Sequence, residues 1–187
     1  PGLRFESGTI EDFIARTRSA SDERYDLVFS NAALHWVDDH EAVIGGLSRA
    51  LTPHGQLAFQ VPSQYDTLTH LTARALADEE PFTSALGGWR RADPVLPPDV
   101  YARLLYRYGF VDPNVRLIVY PHILAGPEDV VEWVKGTTLT EYERRLPPDL
   151  YARFVADYRE RLLARLAPDR PCFFPFKRIL CWGQRSA

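Results

Sequence analysis

Residues 25–39 read Tyr-Asp-Leu-Val-Phe-Ser-Asn-Ala-Ala-Leu-His-Trp-Val-Asp-Asp. The chemistry this stretch can support is ligand binding at the end of a strand. Asp26-Leu27-Val28-Phe29 is a short apolar run of the kind buried on both faces of a parallel sheet. It breaks at the small polar pair Ser30-Asn31, where an open α/β sheet places its ligand crevice. Gln60 closes the next apolar run, residues 56–61, and its polar side chain at a strand end is a candidate for orienting a substrate. Arginines stand in adjacent pairs, Arg90-Arg91 and Arg144-Arg145, and guanidinium groups grip carboxylates bidentately. Metal chemistry has no footing, because His35, His40, His54, His70 and His122 are scattered and none has ligand spacing to a Cys or carboxylate. Cys181, inside Ile179-Leu180-Cys181-Trp182, reads as a small buried thiol. A disulfide to Cys172 has little support in a cytoplasmic protein.

Composition narrows the class of partner. The 187 residues are 45% hydrophobic and 25% charged, with 22 Lys and Arg against 25 Asp and Glu, a formal charge of −3. That is ordinary for a globular domain and gives no global attraction to nucleic acid. No apolar run has membrane-spanning length, so no membrane partner is expected and the expected location is the cytoplasm.

The elements that must position these residues follow from periodicity and caps. Leu3-Arg4-Phe5 reads as the tail of a strand. Thr9 reads as the N-cap of a helix, with Asp12 in its first turn, and residues 19–24 as a loop. After the strand at residue 25, Asp38 or Asp39 caps a helix whose Val43, Ile44, Leu47 and Leu51 follow helical spacing. A Gly55 turn then leads to the strand over residues 56–61. Residues 62–77 read as a loop and helix, and 79–94 as a loop or lid around Gly87-Gly88. Residues 98–108 read as a helix and 115–124 as an antiparallel strand. Helices follow over 127–135 and 148–166, and a final strand over 176–183. Leu96-Pro97-Pro98-Asp99 and Leu146-Pro147-Pro148-Asp149 are matching helix starts, with Pro where no N–H bond is needed. Without a third copy they make no repeat array.

The strand–loop–helix–turn–strand order of residues 25–61 resembles the middle of a class I S-adenosylmethionine-dependent methyltransferase. Val130-Val131-Glu132-Trp133-Val134-Lys135-Gly136-Thr137-Thr138-Leu139 is similar to the motif after the sixth strand in the trans-aconitate methyltransferase family. The family's usual Arg-Pro is replaced here by Thr140-Glu141. The resemblance implies a Rossmann-like α/β fold, N-terminally truncated, with parallel strands, an antiparallel edge and a helical cap. Residues 1–125 and 172–187 would form the core and 126–171 the cap. The family's Gly-rich cofactor loop and the acidic ribose-binding residue do not occur in this chain.

By the same resemblance the cofactor is S-adenosyl-L-methionine. Asn31, Ala32 and Ala33 would bring backbone groups to its methionine end, with Leu34, His35 and Trp36 as a wall. Thr9 and Ile10 would flank the adenine, Thr9 standing where many relatives carry an acid. Gln60, Trp133, Thr137, Tyr142 and Arg144 would contact a small anionic metabolite, such as a trans-aconitate-like carboxylate. A carboxylate is ionised at neutral pH and needs no general base, so the protein would work by positioning and exclusion of water. Without the Gly-rich loop, this chain alone is expected to bind the cofactor weakly and to be inactive. The competing expectation is a non-catalytic module that forms homodimers through an exposed sheet edge.

Overall fold

The computed structural model describes residues 2–19 and 23–187. Part of the loop expected over 19–24 therefore lies outside the described residues. Four strands form one sheet: β1 (Tyr25–Asn31), β2 (Leu51–Pro62), β3 (Phe110–Leu124) and β4 (Cys172–Arg185), in the order β1-β2-β4-β3. β1 and β2 are parallel, with Phe29 opposite Ala58 and Asn31 opposite Gln60. β4 runs antiparallel to β2. The start of β3 lies beside the end of β4, where Phe110 would touch a Cβ on Gly183, and its other end carries His122 against Phe176. Those two strands are thus also antiparallel, and the expected mixture of parallel strands and antiparallel edge is present.

The chain divides into two compact units, one of Pro1–Pro62, Pro94–Ile118 and Arg178–Ala187, the other of Ser63–Asp93 and Val119–Lys177. In the first, α1 (Ile10–Ser19), α2 (His40–Arg49) and α5 (Pro98–Arg107) accompany β1 and β2. Parallel strands need a crossover, and α2 supplies it. Asp39 caps α2 by accepting a hydrogen bond from Ala42 N at 3.1 Å. The core joins Val43, Ile44 and Leu47 to Leu57, Phe59 and Val61 of β2 and to Tyr101, Leu104 and Leu105 of α5. From Gly55 onward β2 alternates strictly, with Gln56, Ala58 and Gln60 on its half-exposed face.

That alternation corrects the expectation of a strand buried on both faces. Leu27 and Phe29 of β1 are 55% and 68% exposed, because no described residue covers that face. Leu3 and Phe5 are exposed and form no strand. A strand needs a neighbour to pair with, and among the described residues β1 is itself the sheet edge on that side. β2 starts at Leu51, before the expected turn. The ladder skips around Pro53-His54-Gly55, with Tyr25 opposite Leu51 but Leu27 opposite Gln56.

Gly46 lets α2 approach α1: a Cβ there would lie 2.5 Å from Ile14 Cγ2. Gly46→Ala should therefore destabilise the chain by about 1–2 kcal/mol in urea unfolding, overpacking outweighing the gain in helix propensity. An unchanged or raised midpoint would show that Ile14 yields freely.

The second unit contains α3 (Leu68–Ala77), α4 (Phe82–Ala85), α6 (Pro127–Lys135), α7 (Thr140–Glu143) and α8 (Pro148–Leu163). Proline opens α5, α6 and α8 in their first turns, where its missing N–H costs nothing. Residues 126–171, expected as a cap, lie in this unit together with Ser63–Asp93. Residues 79–94 are not a free lid: Phe82 and Leu86 are 1% and 7% exposed and belong to the core with Phe154, Tyr158 and Leu162. Phe82 meets Phe154 edge to face at 5.0 Å, and Tyr158 donates to Thr69 O at 3.2 Å.

Candidate functional site

At the carboxyl end of β1 the backbone departs sharply from the strand. Ala32 has φ of 50°, a left-handed conformation that costs a residue with a Cβ about 1–2 kcal/mol. Its N–H donates to Gln60 O at 3.0 Å, so the turn is pinned to β2. A single 3-10 turn follows, Leu34–Trp36, closed by Trp36 N to Ala33 O at 3.1 Å and Val37 N to Leu34 O at 3.0 Å. Buried His40 holds this turn from beneath, through Nε2 to Leu34 O at 3.0 Å and Nδ1 to the Tyr101 hydroxyl at 2.5 Å. Leu34 is core, at 1% exposure, and not a wall residue. Asn31 and Trp36 remain exposed, and the rings of His35 and Trp36 pack at 4.6 Å. The buried Ser30 hydroxyl has no partner among the described residues.

Asn31 and Gln60 face each other across the β1–β2 ladder, Gln60 Nε2 donating to Asn31 Oδ1 at 2.6 Å. Gln60 Oε1 in turn accepts from Arg178 at 3.0 Å. Sequence reasoning missed Arg178, although it sits two residues from Leu180, the β4 partner of Gln60. Gln60 opens onto a shallow apolar hollow of about 500 Å³ between Phe29, Ala58, Leu180 and Trp182. Thr9 caps α1 as expected, and reciprocally: its hydroxyl accepts from Asp12 N at 3.0 Å and its N–H donates to Asp12 at 3.1 Å. Its carbonyl accepts from Phe13 N, so all three polar groups of Thr9 already serve the cap. Ile10 beside it is half-buried.

In the second unit a pocket of about 260 Å³ is lined by Tyr65, Arg74, Ala77, Asp78, Arg90, Arg91 and Tyr142. Of the residues expected to contact a substrate, Tyr142 lines it, and so do the candidate arginines Arg90 and Arg91, whereas Gln60, Trp133, Thr137 and Arg144 do not. Burial pushes the Tyr142 phenol up to about 12, with Arg91 and Arg74 pulling against that shift, so Tyr142 stays a neutral donor at neutral pH. Trp133 lies instead in an aromatic cluster with His122, Phe174 and Phe176. Thr137 is exposed while its neighbour Thr138 is 2% exposed. Thr138 O accepts from Arg91 at 2.5 Å, and its hydroxyl lies 3.3 Å from His70 Nε2. Arg144 points to solvent and pairs with Glu141 at 2.8 Å. His70 and Arg74, one turn apart on α3, had a legible signal in their i, i+4 spacing. Among the described residues no group of three or more His, Cys, Asp or Glu could hold a metal ion, and no helix is long and apolar enough to cross a membrane.

Residues 5–59 match the family model described as "Methyltransferase domain". Together with the α/β sheet and the relatives that follow, this makes the chain an S-adenosylmethionine-dependent methyltransferase. The chain is 41% identical over 186 residues to the trans-aconitate 2-methyltransferase of Deinococcus radiodurans, covering 96% of this chain and 68% of that protein. To the enzyme of the same name from Variovorax paradoxus it is 38% identical over 191 residues, covering 100% and 71%. The chain belongs to the trans-aconitate 2-methyltransferase family, and spans about two thirds of the length of these relatives. The solved structure of a SAM-dependent methyltransferase from Archaeoglobus fulgidus aligns with a TM-score of 0.42 at 11% identity, over 92% of this chain and 64% of that one.

S-adenosylmethionine is the cofactor, and the residues at the end of β1 fit part of it. Ala32 and Ala33 are small, the left-handed Ala32 turns the backbone away just past the Asn31–Gln60 pair, and the buried Ser30 hydroxyl has no partner among the described residues.

Proposed function

We propose that these residues serve methyl transfer from S-adenosylmethionine to a carboxylate of a small, trans-aconitate-like metabolite. The observation that carries this reading is the strained turn at Ala32, held against Gln60 at the carboxyl ends of two parallel strands. Ligands of open α/β sheets bind at such ends, and backbone strain collects at functional sites. Asn31, Ala32 and Ala33 would hold the methionine end of the cofactor, with His35 and Trp36 beside it and Ile10 near the adenine. Thr9, spent on its cap, would contribute only through the position it gives Ile10. The bound cofactor supplies an already activated methyl group. The names of the relatives support a carboxylate acceptor. An ionised carboxylate is itself the nucleophile, so the protein's part is to orient it and keep water away. Gln60, fixed by Asn31 and Arg178, suits an orienting role.

The test is incubation with millimolar S-adenosylmethionine carrying a labelled methyl group, together with trans-aconitate. A millimolar donor keeps the cofactor site occupied. The expected product is slow to form and loses its label in mild alkali, as a methyl ester does. An alkali-stable methyl group, or transfer to an amine in place of a carboxylate, would overturn the reading.

A second reading, self-association, is favoured by one observation: among the described residues β1 is a sheet edge, and its own Leu27 and Phe29 are solvent-exposed. A size in solution that rises with concentration and falls on Phe29→Lys would support it. A monomer at every concentration would remove it.

A further inference from the structure

We infer that His40 and Tyr101 are positioning residues for the cofactor: Tyr101 fixes the imidazole of His40 as its Nε2–H tautomer, and that tautomer aims the backbone of the turn at the end of β1. The inference deepens the function proposed above and rests on it for the identity of the ligand at that turn. Every group it involves belongs to the first unit.

The segment that would meet the cofactor lies between two left-handed residues, Ala32 with φ of 50° and Asp39 with φ of 52°. Such strain persists only where the surroundings over-determine the backbone. At the start of the segment Ala32 N–H donates to Gln60 O at 3.0 Å, and at its end Asp39 accepts from Ala42 N at 3.1 Å. His40, 3% exposed and the first residue of α2, holds the middle. Its Nε2 lies 3.0 Å from Leu34 O, the same carbonyl that accepts from Val37 N to close the 3-10 turn. In a planar trans peptide the C=O and the following N–H point opposite ways. A Leu34 carbonyl drawn to the buried imidazole therefore turns the His35 N–H away from it, and this contact sets the plane of the Leu34–His35 peptide.

The partners of the ring dictate where its proton sits. Leu34 O can only accept, so Nε2 carries the hydrogen, and in the neutral ring Nδ1 is then the acceptor. The hydroxyl of Tyr101, 0% exposed, lies 2.5 Å from Nδ1 and donates to it, while its oxygen accepts from Leu96 N at 3.2 Å. The chain of donors runs one way, from Leu96 N–H to Tyr101, from Tyr101 O–H to His40, and from His40 Nε2–H to the turn. Without the Tyr101 hydroxyl the proton is free to sit on Nδ1, and Nε2 then presents a lone pair to the Leu34 carbonyl, two acceptors face to face. The Tyr101 ring meets Phe59 edge to face at 5.4 Å and 72°, so the packing of α5 against β2 sets where its hydroxyl lies. Buried polar groups are costly unless each is satisfied. A satisfied network rigidifies its surroundings, which suits a binding seat that must be preformed.

The test reads the imidazole and the ligand in the same isotope-labelled whole chain. Long-range proton–nitrogen NMR spectra distinguish the two tautomers, and the His40 signals are those lost in His40→Gln. The parent is expected to show the Nε2–H tautomer alone, and Tyr101→Phe a mixture of the two. In titrations with S-adenosylhomocysteine, Tyr101→Phe should weaken binding about threefold and His40→Leu about tenfold, the range of one or two lost hydrogen bonds. His40→Gln, which keeps a donor for Leu34 O, should recover part of that loss. Leu105→Ala, a cavity in the same core, should lower stability and leave the affinity of the folded chain unchanged. Circular dichroism checks the fold of each variant. If His40→Leu unfolds, Tyr101→Phe decides, because it removes one oxygen and keeps the packed ring. An Nδ1–H tautomer in the parent, parental affinity in folded Tyr101→Phe, or an equal loss in Leu105→Ala would overturn the inference. Ligand-induced shifts in the parent that are absent, or centred outside residues 30–36, would overturn the cofactor seat proposed above and the inference with it. Shifts centred there with undiminished affinity in the variants would overturn the positioning role alone.

Discussion

Phe154→Ala is expected to lower the unfolding free energy by about 3–5 kcal/mol, the usual cost of deleting a large buried aromatic side chain. Phe154 is 0% exposed. Its ring stacks on Tyr142 at 4.8 Å and 23° and meets Phe82 edge to face at 5.0 Å and 87°. The three rings tie α8 to α7 and α4, elements of four residues each that have too few helical hydrogen bonds to persist alone. Since domains are stable by only about 5–15 kcal/mol, the loss would bring the second unit close to unfolding. It would also release Tyr142 from one wall of the pocket that Arg74 and Arg91 line. Urea unfolding followed by circular dichroism measures the first effect, and Phe173→Ala is the control. Phe173 is 58% exposed and should cost no more than about 0.5 kcal/mol. Equal losses for the two substitutions would mean that Phe154 is not a core residue.

The second large effect is a loss of stability in mild acid that traces to His70. Burial, and then the charges of Arg91 and Arg74, lower its pKa from 6.5 to about 4, opposed by Asp66. Between those values the unfolded chain binds a proton that the folded chain refuses, so stability rises with pH through this window. The contribution is complete above about pH 6.5 and shrinks as pH falls toward 4, by up to roughly 3 kcal/mol. Asp66 and Glu79, whose pKa values lie lowered in the fold by Lys177 and Arg161, lose their contributions at more acid pH and do not account for this window. Urea midpoints at a series of pH values should decline over it in the parent chain, and His70→Gln should flatten the curve. A parent curve that is flat from pH 7 to 4, or an unchanged slope in His70→Gln, would show that His70 titrates normally in the fold.

Local grammar was the most legible part of this chain. The Thr9 cap, the Asp39 cap, the helix between two parallel strands and the proline-led helices are set by residues within one or two turns of each other. What failed depended on distant or absent neighbours. Leu3 and Phe5 have strand-forming side chains but no strand beside them, and Leu27 and Phe29 are apolar enough for a core that no described residue completes. Pairing and burial are tertiary facts, and a run of apolar residues cannot announce which face will be covered.

The site divides in the same way. Asn31, Ala32 and Gln60 were readable because a strand end is marked by small polar residues, and the register then brings Asn31 and Gln60 face to face. Arg178 joins them from a strand more than one hundred residues later, a proximity that only the β2–β4 ladder creates. In the second unit Tyr142 lines the pocket, while Thr137 is exposed and its neighbour Thr138 buried, because consecutive side chains of the turn after α6 face opposite ways. Arg144 was favoured over Arg91 because sequence does not show that Glu141 neutralises it.

The most direct test of the account is a titration of S-adenosylhomocysteine into the isotope-labelled chain, followed residue by residue by NMR. Binding is expected, with shift changes concentrated in residues 30–36 and around Ile10. Shift changes centred elsewhere, or none at saturating ligand, would contradict the assignment of the Ala32 turn as the cofactor's seat.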